Sequence, residues 1–314
     1  MKHYLVSALC VFGFICGAWA QVDDTPLLVD PADTVAADTI WKTKFDIGLN
    51  FNQASFSENW VGGGVNSFAF SSFLLYQTNY KRGPWSWNNL IDLLYGVVNN
   101  SGEEFRKSQD RLLLDSKVGY DISKNWNAYA SVNFLSQFAP GYRYVERPNG
   151  NEDALKISDF MAPAFLTFSF GAEYAPNDNF LLRLSPFSPR LTFVTDTTLY
   201  RNLEDPTNGA YGVPIGETVR AEWLAAQIIA SWNKDLTENI SLQTRYLLFA
   251  NLETLEAKKI DHRLDLNLVA KLTEYINVNF SAIAIYDFDQ AEDIQFSQLL
   301  GVGIALSKKG SVVE

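Results

Sequence analysis

From Trp41 to the C-terminus, apolar and polar residues alternate with period two in about a dozen stretches. Successive side chains of a strand point to opposite faces, so the pattern predicts strands with one apolar and one polar face. The first stretch, 41–53, sets Trp41, Thr43, Phe45, Ile47, Leu49 and Phe51 against Lys42, Lys44, Asp46, Gly48, Asn50 and Asn52. Further strands are predicted at 65–80, 85–98, 111–122, 126–138, 164–175, 180–195, 219–232, 240–251, 262–272, 275–288 and 296–306. The least regular is 180–195, where Pro186 and Pro189 cannot donate to a ladder and predict a break or a bulge.

The connections alternate too. Those at 81–84, 123–125, 176–179, 233–239 and 273–274 are tight; those at 54–64, 99–110, 139–163, 196–218, 252–261 and 287–295 are longer. Short turns on one rim, longer loops on the other and strands that are apolar outside and polar inside describe an outer-membrane barrel. An even strand count closes such a sheet without a free edge. The predicted fold is therefore all-β: a single transmembrane antiparallel up-and-down β-barrel of about twelve strands over 41–307, with a C-terminal tail at 308–314. A soluble β-sandwich would alternate as well. It would hold more Lys and Glu on its solvated face than the Asn, Ser, Gln, Thr and Gly that fill most polar strand positions here. Aromatic residues near strand ends (Trp41, Tyr80, Trp85, Trp126, Tyr174, Trp232, Tyr275, Tyr286) also match interfacial girdles.

Residues 1–20 read as an export signal: Lys2 and His3, a mostly apolar run over 4–17, and Ala18-Trp19-Ala20 as a cleavage site. That run is too short for a membrane-spanning helix, which needs roughly 20 residues. Cys10 and Cys16 both fall inside it, and neither Leu9 nor Ile15 is the small residue that a lipoprotein signal places before its cysteine. The mature chain is then cysteine-free, which excludes disulfides, thiol catalysis and cysteine metal sites and suits an oxidising periplasm. Cleavage removes Lys2 and no acid, taking the formal charge from −11 to −12. An acidic chain without a basic stripe is a poor nucleic-acid binder. Residues 21–40 are acidic and irregular and read as a periplasmic linker. Its triplets 33–35 and 38–40 make Thr34 and Thr39 candidate O-glycosylation sites, with a plain solvated tail as the alternative.

Several short stretches, taken in order, resemble a Bacteroidota outer-membrane barrel family known as domain of unknown function 3078. They are Phe51-Asn52-Gln53; 59–66 with Asn59, Trp60, Gly62, Gly63 and Gly64; Trp87-Asn88-Asn89; Tyr95-Gly96; and Asp110-Arg111-Leu112. Ser116-Lys117, Gly141-Tyr142, 158–163 with Ser158, Asp159 and Pro163, and Gly301-Val302-Gly303 complete the set. The resemblance implies a barrel with an outer-membrane address. It implies no activity and no catalytic residue. The chain departs from such barrels at its end, where an aromatic residue read by the barrel-assembly machinery is common and Leu306 is followed by Ser307-Lys308-Lys309-Gly310.

The inward phase carries charges of both signs: Lys44, Asp46, Asp92, Arg111, Asp115, Lys117, Asp121, Glu173, Arg183, Arg245, Arg263, Asp265 and Lys271. They fit a conduit for small polar solutes, and they fit equally a set of ion pairs that plugs the lumen, since unpaired charges are costly away from water. Twelve strands lie between the filled eight-stranded barrel and the open sixteen-stranded channel. The expected function is thus a non-enzymatic narrow pore, with two alternatives: an occluded barrel presenting loops 139–163 and 196–218 to a partner, and a lipid-acting enzyme. His262 falls on the apolar phase near a rim, which suits a lipid-interface histidine better than a catalytic one. Asp92 and Asp115 are a carboxylate pair whose separation strand pairing alone leaves open. No cofactor and no metal site is assigned. Asn149, Asn151 and Asp153, and the acidic loop Asp287, Asp289, Glu292 and Asp293, hold oxygen ligands of the kind Ca²⁺ uses to bridge lipopolysaccharide phosphates, and they also suit simple solvation. The expected surroundings are outer-membrane lipid, with no statement on oligomeric state.

Overall fold

A computed structural model describes residues 39–57, 65–147, 152–202, 209–290 and 293–313. The export signal, most of the linker with Thr34, the loop residues Asn59, Trp60 and Gly62 to Gly64, and Asn149, Asn151 and Glu292 lie outside these.

The strands are β1 (Thr39–Ala54), β2 (Ser67–Arg82), β3 (Trp85–Asn100), β4 (Arg106–Ser123), β5 (Trp126–Ser136), β6 (Gly141–Glu146), β7 (Glu152–Ser158) and β8 (Ala164–Asn177). They continue with β9 (Phe180–Phe187), β10 (Arg190–Phe193), β11 (Val219–Glu222), β12 (Ala225–Asp235), β13 (Ile240–Asn251), β14 (Asp261–Lys271), β15 (Ile276–Tyr286) and β16 (Gln295–Val313). All but β6 and β7 join one antiparallel sheet that closes through β1–β16 and β8–β9. Because β9 with β10, and β11 with β12, are the halves of two broken strands, the wall is a twelve-stranded up-and-down barrel.

The outward phase is apolar as the alternation predicts. Phe45, Ile47, Leu49 and Phe51 on β1 are each about 40 % exposed (37–41 %), so the described residues leave this face open. A belt of this kind is stable only against lipid or similar apolar surroundings. Ring pairs Trp41–Tyr80, Trp85–Tyr120 and Trp126–Tyr174, with centroids 4.9–5.0 Å apart, ring the rim of short turns.

Three expectations change. Residues 308–313 are no loose tail: β16 runs on to Val313, with Lys309 opposite Lys44 and Val312 opposite Trp41. The reason is that β1 begins at Thr39, and its first residues would otherwise leave an unpaired edge. Thr39 itself therefore opens the barrel wall rather than closing a free linker. The loop 139–163 carries its own hairpin, β6–β7, in which Tyr142, Tyr144 and Val145 supply β-forming residues.

The predicted break at the prolines is real and has a second half. Arg183 faces Glu173 and Leu184 faces Ala172, but a bulge follows and Phe187 then faces Phe170. One extra residue reverses the in–out phase. Arg183 and Ser185 point inward before the bulge, and Ser188, Arg190 and Thr192 after it, all buried or nearly so. The partner strand reverses at the same height, between Glu222 and Ala225, where Trp223 and Leu224 are both exposed and the Ser188 amide bonds the Ala225 carbonyl at 2.7 Å. Gly171 makes room for the bulge: a Cβ there would lie 1.9 Å from the Leu184 carbonyl oxygen.

Candidate functional site in the barrel lumen

The inward phase of the regular strands β2 to β8 is less polar than the sequence suggests. Leu75, Leu90, Leu113, Leu135 and Phe165 meet inside the barrel as an apolar cluster, with Leu113 fully covered. Around it the charged candidates fall into levels.

At the short-turn rim, Lys44 pairs with Asp46 at 3.0 Å and Asp121 with Lys81 at 2.5 Å, both partly exposed. Lys271, the last residue of β14, is exposed and joins no interior group. These four candidates line an entrance rather than the interior.

Deeper, the wall brings two of the predicted cations, from β4 and β9, onto the carboxylate of a third predicted residue on β8. Glu173 accepts from Lys117 at 2.5 Å and from Arg183 at 2.7 Å. Tyr129 lies beside them, 5.6 Å from the Arg183 guanidinium, with its hydroxyl bonded to Ser185. Arg111 reaches Asp92 at 2.9 and 3.0 Å. Arg263 is bonded to Asp265 three times, at 2.6–2.9 Å. Burial makes such pairs costly unless each charge is matched, and here nearly every one is. Asp92 and Asp115 are diagonal neighbours on adjacent strands and bind different partners. Asp92 lies opposite Leu113 and binds Arg111, while Asp115 lies opposite Leu90 and accepts from Asn133 at 3.2 Å.

Toward the long-loop rim stands a cluster that period-two reading misses. Arg190 on β10 donates to Glu222 on β11 at 2.7 Å and to Asp261 at the start of β14 at 3.2 Å. Its guanidinium lies 3.8 Å over the Phe249 ring and 5.8 Å from Phe165. Glu222 also accepts from Arg220 at 3.2 Å and Asn251 at 3.1 Å, and Arg220 reaches Asp289 in the β15–β16 loop at 2.5 Å and the Gly212 carbonyl at 3.2 Å. Arg190 and Glu222 face each other on neighbouring strands, and the bond to Asp261 spans the β11–β12 and β13 strands to β14, so this strut ties together one side of the lumen wall. Its signal was in the sequence as Arg190, Arg220 and Glu222, but their even numbering reads as outward unless the bulge reverses the phase.

Above the strut the long loops form a cap. Asp110 accepts from the Phe138 and Ala139 amides and from Lys107 at 2.7–3.0 Å. Gln137 donates to the carbonyls of Asp159 and Ala162, and Ser136 to that of Pro163, so Ser158, Asp159 and Pro163 form the hairpin's anchored base. Gly141 must be small there, since a Cβ would meet the buried Ser158 Oγ. Tyr142 projects from the hairpin, exposed. Lys156 binds Asp159 and Asp196; hydrogen bonds from Lys156 and Thr198 hold the Asp196 carboxyl down at about 2, against an ordinary 3.8. A second apolar cluster of Ala162, Val194, Leu199, Ala210 and Val213 knits this cap together.

His262 sits outward between Tyr246 and Tyr286, its Nδ1 2.7 Å from the Tyr246 hydroxyl. It is remote in phase from every lumen carboxylate. Among the described residues, no three His, Cys, Asp or Glu side chains converge as a metal site requires.

These features define a membrane-type β-barrel whose lumen is lined by paired charged side chains. The family described as "Protein of unknown function (DUF3078)" matches residues 51–142, from the end of β1 into β6, in agreement with the resemblance drawn from the sequence. No curated protein matches the chain. Among solved structures it is similar to an outer membrane channel from Pseudomonas putida F1, at 10 % identity over 90 % of this chain and 100 % of that one, with a TM-score of 0.40. It is also similar to the translocator domain of autotransporter NalP from Neisseria meningitidis, at 10 % identity over 87 % and 89 %, with a TM-score of 0.38. None of these transfers a solute or a partner to this chain.

Proposed function

We propose that the chain is an integral protein of the bacterial outer membrane, exported by its N-terminal signal, that conducts small polar solutes through a lumen held closed in the conformation described. The observation that carries this reading is the Arg190 strut. It sets ion pairs on the inner wall of the lumen, and such pairs can exchange for water contacts without moving a strand. The activity is non-enzymatic, the outward belt is solvated by lipid, and the assembly machinery inserts a barrel whose last strand is closed onto β1.

Single-channel current across a planar bilayer tests this, with refolded residues 21–314 shown to be folded by a heat-dependent gel shift. Wild type is expected to give rare, brief openings, and Arg190→Ala to raise the open fraction roughly tenfold, the effect of shifting a closed–open equilibrium by about 1.4 kcal/mol. Silence from both proteins, correctly folded, would sink the channel.

The cap supports a second reading. Tyr142, Phe160 and Ile215 are 38–57 % exposed on it, which suits a surface that docks a partner. Deleting residues 142–156 without effect on conductance, but with loss of a partner or of lipopolysaccharide binding, would favour that reading.

A further inference from the structure

Between the Glu173 level and the Arg190 cluster the lumen keeps a partly open chamber with about 50 Å³ of space for water-sized groups. That is room for roughly three to five waters, or for a small oxyanion with a water beside it. Arg183, Arg190 and Arg245 border it, against the single carboxylate of Asp115.

The three arginines are not equally satisfied. Arg190 is engaged by Glu222 and Asp261. Arg183 gives Nε to Glu173, but its buried Nη2 has no partner. Arg245 is 6 % exposed and has no hydrogen-bond or ion-pair partner among the described residues, its covered Nη1 included. Its nearest expected counter-ion, Asp265, lies directly opposite on β14 but is turned to Arg263 with three hydrogen bonds. A buried guanidinium left without an acceptor is among the costliest arrangements a fold can carry. Asp115, on β4, lines the same chamber and acts on Arg245 through its charge. It makes no hydrogen bond or ion pair with that guanidinium among the described residues and accepts from Asn133.

We infer that the chamber is a binding site for a small oxyanion, with Arg245 as the primary ligand and the free N–H of Arg183 as the second. The guanidinium fork suits a carboxylate with two parallel hydrogen bonds, and the Ser131 hydroxyl lines the same space. Asp115 repels the anion and weakens it, which keeps the site loose enough to release what it binds. The inference deepens the channel reading and rests on it for the anion's route, but occupancy can be measured without any current.

The test is equilibrium dialysis of protein refolded in the presence of radiolabelled acetate or, separately, radiolabelled phosphate, at ionic strength fixed with sodium fluoride. Saturable, stoichiometric binding is expected. Arg245→Gln should lower affinity roughly tenfold or more, and Arg245→Lys less, because the charge stays and the fork is lost. Asp115→Asn should raise affinity, a gain that a merely structural role for these residues would not produce. Preference for acetate assigns the anion to organic acids; preference for phosphate assigns it to inorganic oxyanions. Folded wild type that binds neither overturns the inference, as does unchanged binding in Arg245→Gln. Should that variant fail to fold, unchanged affinity in Asp115→Asn overturns it instead. A barrel that binds acetate and never conducts keeps the site and loses the channel; one that conducts and binds neither does the reverse.

Discussion

The two sides of this barrel are built differently. From β1 to β5 the wall is more regular: long strands pair residue by residue but for single shifts at Gly96–Val97 and Asp121–Ser123, and apolar side chains face out. The inward phase holds a leucine cluster, rim ion pairs, the buried Asp92 and Lys117 and the half-buried Arg111. From β8 to β12 the wall is broken twice, both strands reverse phase at one height, and the Arg190–Glu222 ion-pair cluster hangs from that break. The irregular side thus supplies a level of buried ionic groups that the regular phase would not. A regular strand can present only every second residue to the lumen. A bulged one presents Arg183 and Ser185 below the break and Ser188 and Arg190 above it, so that ionic groups face inward at a height the regular phase would have given to lipid.

If that contrast is right, substitutions should weigh more on the broken side. Arg190→Ala leaves Asp261 without its cation and the buried Glu222 with only Arg220, and is expected to cost about 3–5 kcal/mol, read from urea titration of tryptophan fluorescence in detergent. Lys44→Ala, at the partly exposed rim pair of the regular side, should cost less than about 1 kcal/mol in the same assay. Equal costs would erase the distinction. Next in size, Gly171→Ala drives a methyl into the Leu184 backbone and should cost about 1–3 kcal/mol. Gly119→Ala on the regular side meets only the Ser86 hydroxyl, which can rotate away, and should cost a few tenths of a kcal/mol by the same titration.

The smallest effect concerns the cap. Asp196 is held near 2 in the folded chain and titrates near 3.8 when free, so its contribution is present above pH 4 and is lost as pH falls from about 4 to about 2. Pepsin cleavage within Glu152–Ser158 should therefore rise over that interval in wild type more than in Asp196→Asn, in which the pairing with Lys156 is already absent. Parallel pH profiles would remove Asp196 from the cap's attachment.

The period-two pattern carried the fold a long way. It located twelve strands, the outward belt and the inward phase of charges such as Arg111 and Asp92, because both depend on alternation that a single sequence displays; which charges pair it does not say. It also marked Pro186 and Pro189 as a break. What it could not carry was the sense of the break. A bulge adds one residue without a fixed residue signature, so Arg190 and Glu222 stayed on the lipid side of the count, and with them the strut. The second break had no proline to announce it; only Trp223-Leu224, two bulky apolar residues in succession, hinted that both could face out. The end of β16 was hidden for another reason: Lys308, Lys309 and Gly310 look like a tail until β1 is seen to begin early enough to need them as partners.

The phase reversal is the account's central claim, and thiol accessibility tests it most directly, since the chain from residue 21 onward contains no cysteine. Arg190→Cys and Leu191→Cys would each be refolded into lipid vesicles and treated with a small charged thiol reagent, which reacts only where water reaches. The account predicts labelling at position 190 and protection at position 191. Protection at 190 with labelling at 191 would return this segment to the regular phase, take Arg190 out of the lumen and contradict the arrangement described here.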